Sequence, residues 1–269
     1  MLETLVRRVF TQSSSWYADL CEYYHVTPAQ AEELGTRKPG RKPDLPGSPT
    51  THAVSGQTFE EIWQQKRRED PQAIIEFYKD MGAWATFRQC YYHRCTRPAR
   101  FLKGLPDGGR FCEYGGGVGP IANWVVEHVR GKRWHLTVTD VPSEHLTFAE
   151  WRIKKKIAAG KLPFTFETLP VLVGRLPLSG LYDVITILEV FEHLYNPLEV
   201  ARHLTEHLRS GGLLWENYIK HDDADAADLQ VAQEERPQVV EFMRAHYVRV
   251  SGDDPDGPEG GGTRCWRKR

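Results

Sequence analysis

Cysteine is scarce and unpatterned. The chain of 269 residues holds five, Cys21, Cys90, Cys95, Cys112 and Cys265. Their number is odd and no two are spaced C-x-x-C, which argues against a disulfide framework and against a structural zinc site. Reduced thiols, and with them a cytoplasmic setting, are the expectation, and Cys112 reads as a small buried residue. Net charge is nearly absent as well: 35 Lys and Arg against 36 Asp and Glu leave −1. No global attraction to nucleic acid or to an anionic membrane follows from that balance. Long apolar runs are missing, since none approaches the ~20 residues that cross a bilayer. The opening residues MLETLVRRVF lack the apolar core of a secretory signal. What remains is ordinary globular composition, 40% apolar and 26% charged, at a length that suits one large domain or a domain with an appendage.

Against that plain background one stretch stands out, Arg110-Phe-Cys-Glu-Tyr-Gly-Gly-Gly-Val-Gly-Pro120. Phe111 to Tyr114 reads as a buried strand. Ile121, Trp124, Val125 and Val129 recur at helical spacing, so a helix is expected from Pro120 to about Val129, with His128 near its end in a structural role. Glycines between a strand and a helix permit a sharp turn and close approach of a ligand, and the helix start offers N–H groups that want an acceptor. The spacing Glu113-x-Gly115-x-Gly117-x-Gly119 departs from the dinucleotide pattern G-x-G-x-x-G, because Pro120 stands where its last glycine belongs. A purely structural turn is the alternative.

Residues 1–105 read as helical. Leu5 to Tyr24 is aromatic-rich, Thr27-Pro28 opens a short helix through about Leu34, and Thr58 to Glu61 forms a capping box. Between them the Pro-rich, basic stretch 35–57 reads as a loop. After Asp70-Pro71, the residues Ile74, Phe77, Tyr78, Met81, Trp84, Phe87 and Tyr91 mark one long amphipathic helix.

From residue 106 strands and helices alternate, which predicts a parallel sheet covered on both faces. Trp134 to Asp140 is the second strand, and the carboxylate at its tip can accept hydrogen bonds from ribose hydroxyls or cap the next helix. Ser143 to about Ala159 is a helix whose Lys154, Lys155 and Lys156 read as a solvated face. Pro163 to Leu169 is the third strand, with Glu167 or Thr168 a candidate contact to an adenine. The apolar run of Leu181 to Leu188 marks a central strand. It leads into Glu189-Val-Phe-Glu-His193-Leu-Tyr-Asn-Pro197. A helix capped by Asn196 and stopped by Gly211-Gly212 follows, then a strand to Tyr218 and a helix that Pro237 interrupts. Tyr247 to Val250 and Thr263 to Trp266 read as a hairpin joined by the loop 251–262.

The acid-first glycine run resembles the nucleotide-binding motif of class I S-adenosylmethionine-dependent methyltransferases. The segment Glu189 to Pro197 resembles the corresponding stretch of ubiquinone-biosynthesis-type enzymes. The resemblance covers residues 106–269. It implies an α/β, doubly wound, mostly parallel seven-stranded sheet ending in an antiparallel hairpin strand, here with an N-terminal helical extension of residues 1–105. It implies S-adenosylmethionine as cofactor, with Glu113 near its amino end, Tyr114, Gly115 and Gly117 against its methionine and ribose portions, Asp140 on the ribose, and Val141, Leu188 and Glu189 beside it. Glu192 and His193 then lie near the transferred methyl, and His193 is the candidate base. N-terminal helices in such enzymes cover the cofactor, which makes Tyr78, Tyr91 and His93 candidate acceptor contacts.

The expected activity is methyl transfer to an oxygen or nitrogen of a small molecule, with no membrane partner and with monomer and homodimer both open. Other readings are aminopropyl transfer or cyclisation on the same fold, a non-catalytic cofactor-binding partner, and RNA methylation through the basic clusters Arg37 to Lys42 and Lys154 to Lys156. Glu189, Glu192 and His193, with His221, also permit a divalent metal, although metal ligands are not assigned.

Overall fold

The structure is a computed structural model that describes residues 15–36, 70–94, 98–219, 228–257 and 262–269. Residues 5–14, the basic loop from residue 37, the capping box at Thr58 and His221 lie outside the described residues.

Seven strands form one sheet in the order β3-β2-β1-β4-β5-β7-β6. They are β1 (Arg110–Tyr114), β2 (His135–Asp140), β3 (Thr165–Pro170), β4 (Tyr182–Ile187), β5 (Leu208–Glu216), β6 (Tyr247–Ser251) and β7 (Arg264–Lys268). The first five are parallel, and β7 runs antiparallel between β5 and β6. This is the α/β Rossmann-like architecture that the alternation predicts. The helices are α1 (Ser15–Tyr24), α2 (Pro28–Thr36), α3 (Pro71–His93), α4 (Pro120–His128), α5 (Glu144–Gly160), α6 (Pro197–His207) and α7 (Gln230–His246). Period-two alternation along β1 explains the two layers. Phe111 enters the core under α4 and α5, whereas Cys112 and Tyr114 enter the core under α6 and α7.

The strand order reverses between β1 and β4, where a crevice opens beyond the carboxyl ends. The N-terminal helices cover that edge. Asp70 Oδ1 accepts from Ala73 N at 2.9 Å and starts α3 with Pro71 in its first turn. The long stripe is not one helix. At Gly82 the backbone takes φ 56° and ψ −152°, so α3 is two helical segments. The first lays Ile74 and Phe77 on Leu229 and Ala232 of the α7 end. The second lays Phe87 and Cys90 on Val118 and Phe148. A straight helix would have to give up one of these two surfaces.

Other boundaries shift for local reasons. Gly211 and Gly212 do not stop α6, which already ends at His207; they lie inside β5, where the pairing with β4 jumps between Tyr182 and Val184. Gly211 has φ 77°, and a Cβ on Gly212 would crowd the Asp183 carbonyl, so both glycines serve this irregularity. Asn196 makes no side-chain cap; Leu198 N instead donates to Glu235 Oε2 of α7 at 3.2 Å. Helix α7 runs through Pro237 without interruption, held by the buried face of Ala232, Val239, Val240 and Met243. The lysine triplet is not simply solvated. Lys156 pairs with Asp19 of α1 and with Glu127 at 2.6 Å, and Lys155 reaches Glu22 at 2.6 Å, clamping α1 to α5. Of the Pro-rich loop reading, Gly35 and Thr36 belong to α2.

Candidate active site

Two turns meet at the switch point, one after β1 and one after β4. In the first, Gly115, Gly117 and Gly119 take φ of 67°, 52° and 64°, a left-handed series in which side chains are strained. A Cβ on Gly115 would overlap Val190, and one on Gly117 would overlap the Gln89 amide.

Glu113 turns its carboxylate to the start of α4. Its Oε1 accepts from Ile121 N and its Oε2 from Ala122 N, both at 3.0 Å. Pro120 has no N–H, so these are the first two donors of α4, and the carboxylate caps the helix from below. Burial pushes its pKa up to about 7 against the pull of those two bonds. The helix-start donors are therefore taken within the chain.

Asp140 closes the same turn from the tip of β2. Its Oδ2 accepts from Gly117 N at 2.6 Å and its Oδ1 from Val141 N at 2.7 Å, while burial raises its pKa to about 6. Gln89 of α3 reaches in from above, its Oε1 accepting from Val118 N at 3.2 Å. Sequence reasoning missed Gln89. It falls between Phe87 and Tyr91 on the α3 stripe, and only the tertiary approach of that helix gives it a role.

In the second turn Glu189 has φ 55°, uncommon for a non-glycine residue and a mark of strain at sites. Asn217, just past β5, holds it: Glu189 N donates to Asn217 Oδ1 at 2.6 Å and Asn217 Nδ2 donates to Glu189 Oε1. Asn217 was also not singled out by the sequence, although its place after a strand tip is the available signal. Leu188 packs against the core on the α4 and α5 side.

Glu192 is 2% exposed and its Oε2 has no hydrogen-bond partner. Burial pushes its pKa up to about 8, and the charges of Glu189, Asp228 and Glu216 add to the rise. His193 closes this short 3-10 turn, its N–H donating to Val190 O at 2.9 Å. Its residue lines a 110 Å³ cavity with Tyr114, Val141, Ile74, Ile75 and Tyr195. The Tyr114 hydroxyl is buried and unpartnered.

The three candidate acceptor contacts separate. Tyr78 sits on the first segment of α3, and burial together with the Asp140 and Glu192 charges raises its phenol pKa. Tyr91 and His93 lie beyond the Gly82 kink. Tyr91 packs beside the α1 and α2 cluster and under the Arg94 guanidinium, and His93 ends the helix at the surface. This second segment of α3 packs on α5 through Phe87 and Cys90 against Phe148. Glu167 is engaged in mid-strand by His135 Nε2 at 2.8 Å and Thr137 Oγ1 at 3.1 Å, whereas Thr168 borders an open groove with Pro142 and Ser143. Among the described residues no group of three or more His, Cys, Asp or Glu side chains converges to hold a metal ion, and no helix is long and apolar enough to cross a membrane.

The model of one protein family, described as a methyltransferase domain, matches residues 84–250. Among curated proteins no sequence matches the chain. Solved structures similar to it include a methyltransferase from Pyrococcus furiosus, at 16% identity over 63% of this chain and 80% of that one, with a TM-score of 0.41. The N-methyltransferase NodS from Bradyrhizobium japonicum WM9 is 15% identical over 68% and 97%, with a TM-score of 0.46. The pyocyanin biosynthetic protein PhzM is 14% identical over 75% and 62%, with a TM-score of 0.49.

Proposed function

The chain belongs to the methyltransferase-domain family, and on that premise we propose that it transfers a methyl group from S-adenosylmethionine to a nitrogen or oxygen of a small-molecule acceptor. The observation that carries the reading is Asp140 held against Gly117 across a left-handed glycine turn at the sheet's switch point. Each Asp140 oxygen uses one lone pair on a backbone N–H and keeps another for a ribose hydroxyl. The buried Tyr114 hydroxyl and Ser143 Oγ, both unpartnered, flank the same strand tips and fit a polar ligand there. These residues suit the cofactor that the family uses.

When bound, S-adenosylmethionine supplies a methyl group already activated on a sulfonium, and an acceptor lone pair takes it as the C–S electrons return to sulfur. The chain's part is to align and to manage protons. In this reading Gly115, Gly117 and Tyr114 bound the cofactor from the β1 side, and Val141, Leu188 and Glu189 bound it from β2 and β4. Glu113 acts beneath them by fixing α4. His193 and Glu192 stand where a proton leaves the acceptor, and a ring nitrogen with a near-neutral intrinsic pKa suits that task. Tyr78 on the covering segment of α3 contacts the acceptor and helps exclude water.

We read residues 1–105 as a lid on a catalytic domain of residues 106–269. A small acceptor is favoured over RNA because Lys155 and Lys156 are spent on Asp19, Glu22 and Glu127. A cytoplasmic setting is supported by the four described cysteines, all free. Product analysis tests the reaction class: S-adenosylhomocysteine is the expected product from an acceptor library, and methylthioadenosine would contradict methyl transfer.

A further inference from the structure

A crossover between parallel strands usually carries a helix. Residues 171–181, which join β3 to β4, carry none. In its place Leu172 and Arg175 close a tight hairpin: Arg175 N donates to Leu172 O at 3.1 Å and Leu172 N to Arg175 O at 3.4 Å, with Gly174 at φ 69° in the turn. The hairpin leaves Leu172 and Val173 42% and 48% exposed, apolar surface that would gain by being covered. It also lines the cavity that His193 lines. Ile74 and Ile75 of α3 add to that lining, as do Val141, Leu176 and Val200, so most of the wall is aliphatic. Its 110 Å³ approaches the cavity of about 150 Å³ that takes a benzene ring in an aliphatic core. Tyr114 and Val141, proposed to bound the cofactor, line the cavity too, so it adjoins the cofactor's proposed place.

Charge around the cavity is uneven. Besides His193, two ionisable chains of opposite sign line it, Arg175 and Glu199, and both are exposed. Glu199 is already compensated. It stands in the first turn of α6, where the helix dipole favours an acid, and its Oε2 accepts from Asn196 Nδ2. The Arg175 guanidinium makes no hydrogen bond or ion pair among the described residues. The hydroxyl of Tyr114, a residue of the same lining, is buried without a partner and can donate. Aliphatic walls of ring size call for an apolar body. An uncompensated guanidinium calls for an acid, which it can hold with two parallel N–H donors.

We propose that the acceptor is an apolar, ring-sized molecule bearing a carboxylate, with its ring in this cavity and its acid on Arg175 of the β3–β4 hairpin. This rests on the methyl-transfer reading above and adds the chemical class of the acceptor. The carboxylate is the handle by which the acceptor is held, and the accepting nitrogen or oxygen lies on the side of His193. Leu172 and Val173 cover the ring's outer edge. The hairpin is then the element that sets acceptor specificity, apart from the turns that hold the cofactor.

The test uses the full chain and three probes: phenylacetate, phenylacetamide, which keeps the ring and loses the charge, and acetate, which keeps the charge and loses the ring. Ligand-observed NMR titration, with and without S-adenosylhomocysteine, reads their binding, and calorimetry reads that of S-adenosylhomocysteine. Phenylacetate should bind about tenfold tighter than phenylacetamide, and acetate should show no binding at the same concentrations. Arg175→Gln, an exposed position on the hairpin, should abolish the advantage of the acid over the amide while changing phenylacetamide and S-adenosylhomocysteine binding less than about twofold. Leu172→Ser should weaken both ring probes alike, by about threefold, and keep their ratio. Phenylacetamide bound as tightly as phenylacetate, neither ring probe bound, phenylacetate displaced by S-adenosylhomocysteine, or an acid preference that survives Arg175→Gln would each overturn the proposal. Failure of the wild-type chain to bind S-adenosylhomocysteine is a different failure: it removes the cofactor reading beneath, while the probe titrations on the chain alone still report on the cavity.

Discussion

The turn after β1 and the turn after β4 face each other across the switch point and are built in opposite ways. After β1 every hydrogen-bonding oxygen of the two acids is matched: Glu113 holds two helix donors and Asp140 holds Gly117 and Val141. After β4 a residue is strained, Glu189 at φ 55°, and a buried oxygen is unmatched, Glu192 Oε2. The first turn is complete in itself and offers shape and spare lone pairs. The second is incomplete, and incompleteness in a buried site is what a ligand corrects. The contrast also separates two uses of a buried glutamate, one that holds the fold together and one that the fold tolerates.

That contrast can be broken at either end. The largest effect is expected from Glu113→Ala, which leaves two buried helix N–H groups without acceptors. A loss of about 2–4 kcal/mol in urea unfolding is predicted, and Glu113→Gln, which keeps one acceptor, should lose less. A change near zero would mean that Glu113 does not cap α4.

Next in size is Gly82→Ala. It forces a side chain into a backbone region suited to glycine and should cost about 1–3 kcal/mol. Its diagnostic is faster proteolysis within α3 while the sheet domain stays folded, since the kink lets one helix serve two surfaces.

The smallest effect sharpens the comparison by pH. Glu192, with a folded pKa of about 8 against an ordinary value of 4.5, binds its proton more tightly in the folded state. Its contribution is therefore full at low pH and is lost as pH rises towards 8, because burial first and then the charges of Glu189, Asp228 and Glu216 disfavour the ionised form. Glu192→Gln should match wild type in melting temperature at pH 5 and exceed it by roughly 2–4 °C at pH 8.5. An equal or lower melting temperature at pH 8.5 would contradict the burial of an unmatched acid there.

Much of this was legible in the sequence because it rested on local pattern. Strand and helix periods, the Asp70-Pro71 helix start and the acid-first glycine run are all short-range signals, and they led to the seven-stranded sheet and to Asp140. What escaped was set by tertiary contact. The stripe from Ile74 to Tyr91 is continuous in sequence, yet two separate surfaces divide it at Gly82, and Tyr91 and His93 fall on the second segment. Glu113 matches its motif as a residue type, but which way its carboxylate turns depends on Pro120 lacking an N–H and on the donors of Ile121 and Ala122. Gln89 and Asn217 carry no motif at all. Gly211-Gly212 reads equally well as a helix stop or a strand irregularity until the partner strand's register is known.

The central claim is that the β1 turn and Asp140 together bind S-adenosylmethionine, and calorimetric titration with S-adenosylhomocysteine tests it most directly. The wild-type chain should bind in the micromolar range. Asp140→Ala and Gly117→Val, each confirmed as folded by its melting curve, should lose at least tenfold in affinity. No binding by the folded wild type, or undiminished binding by both variants, would contradict the account.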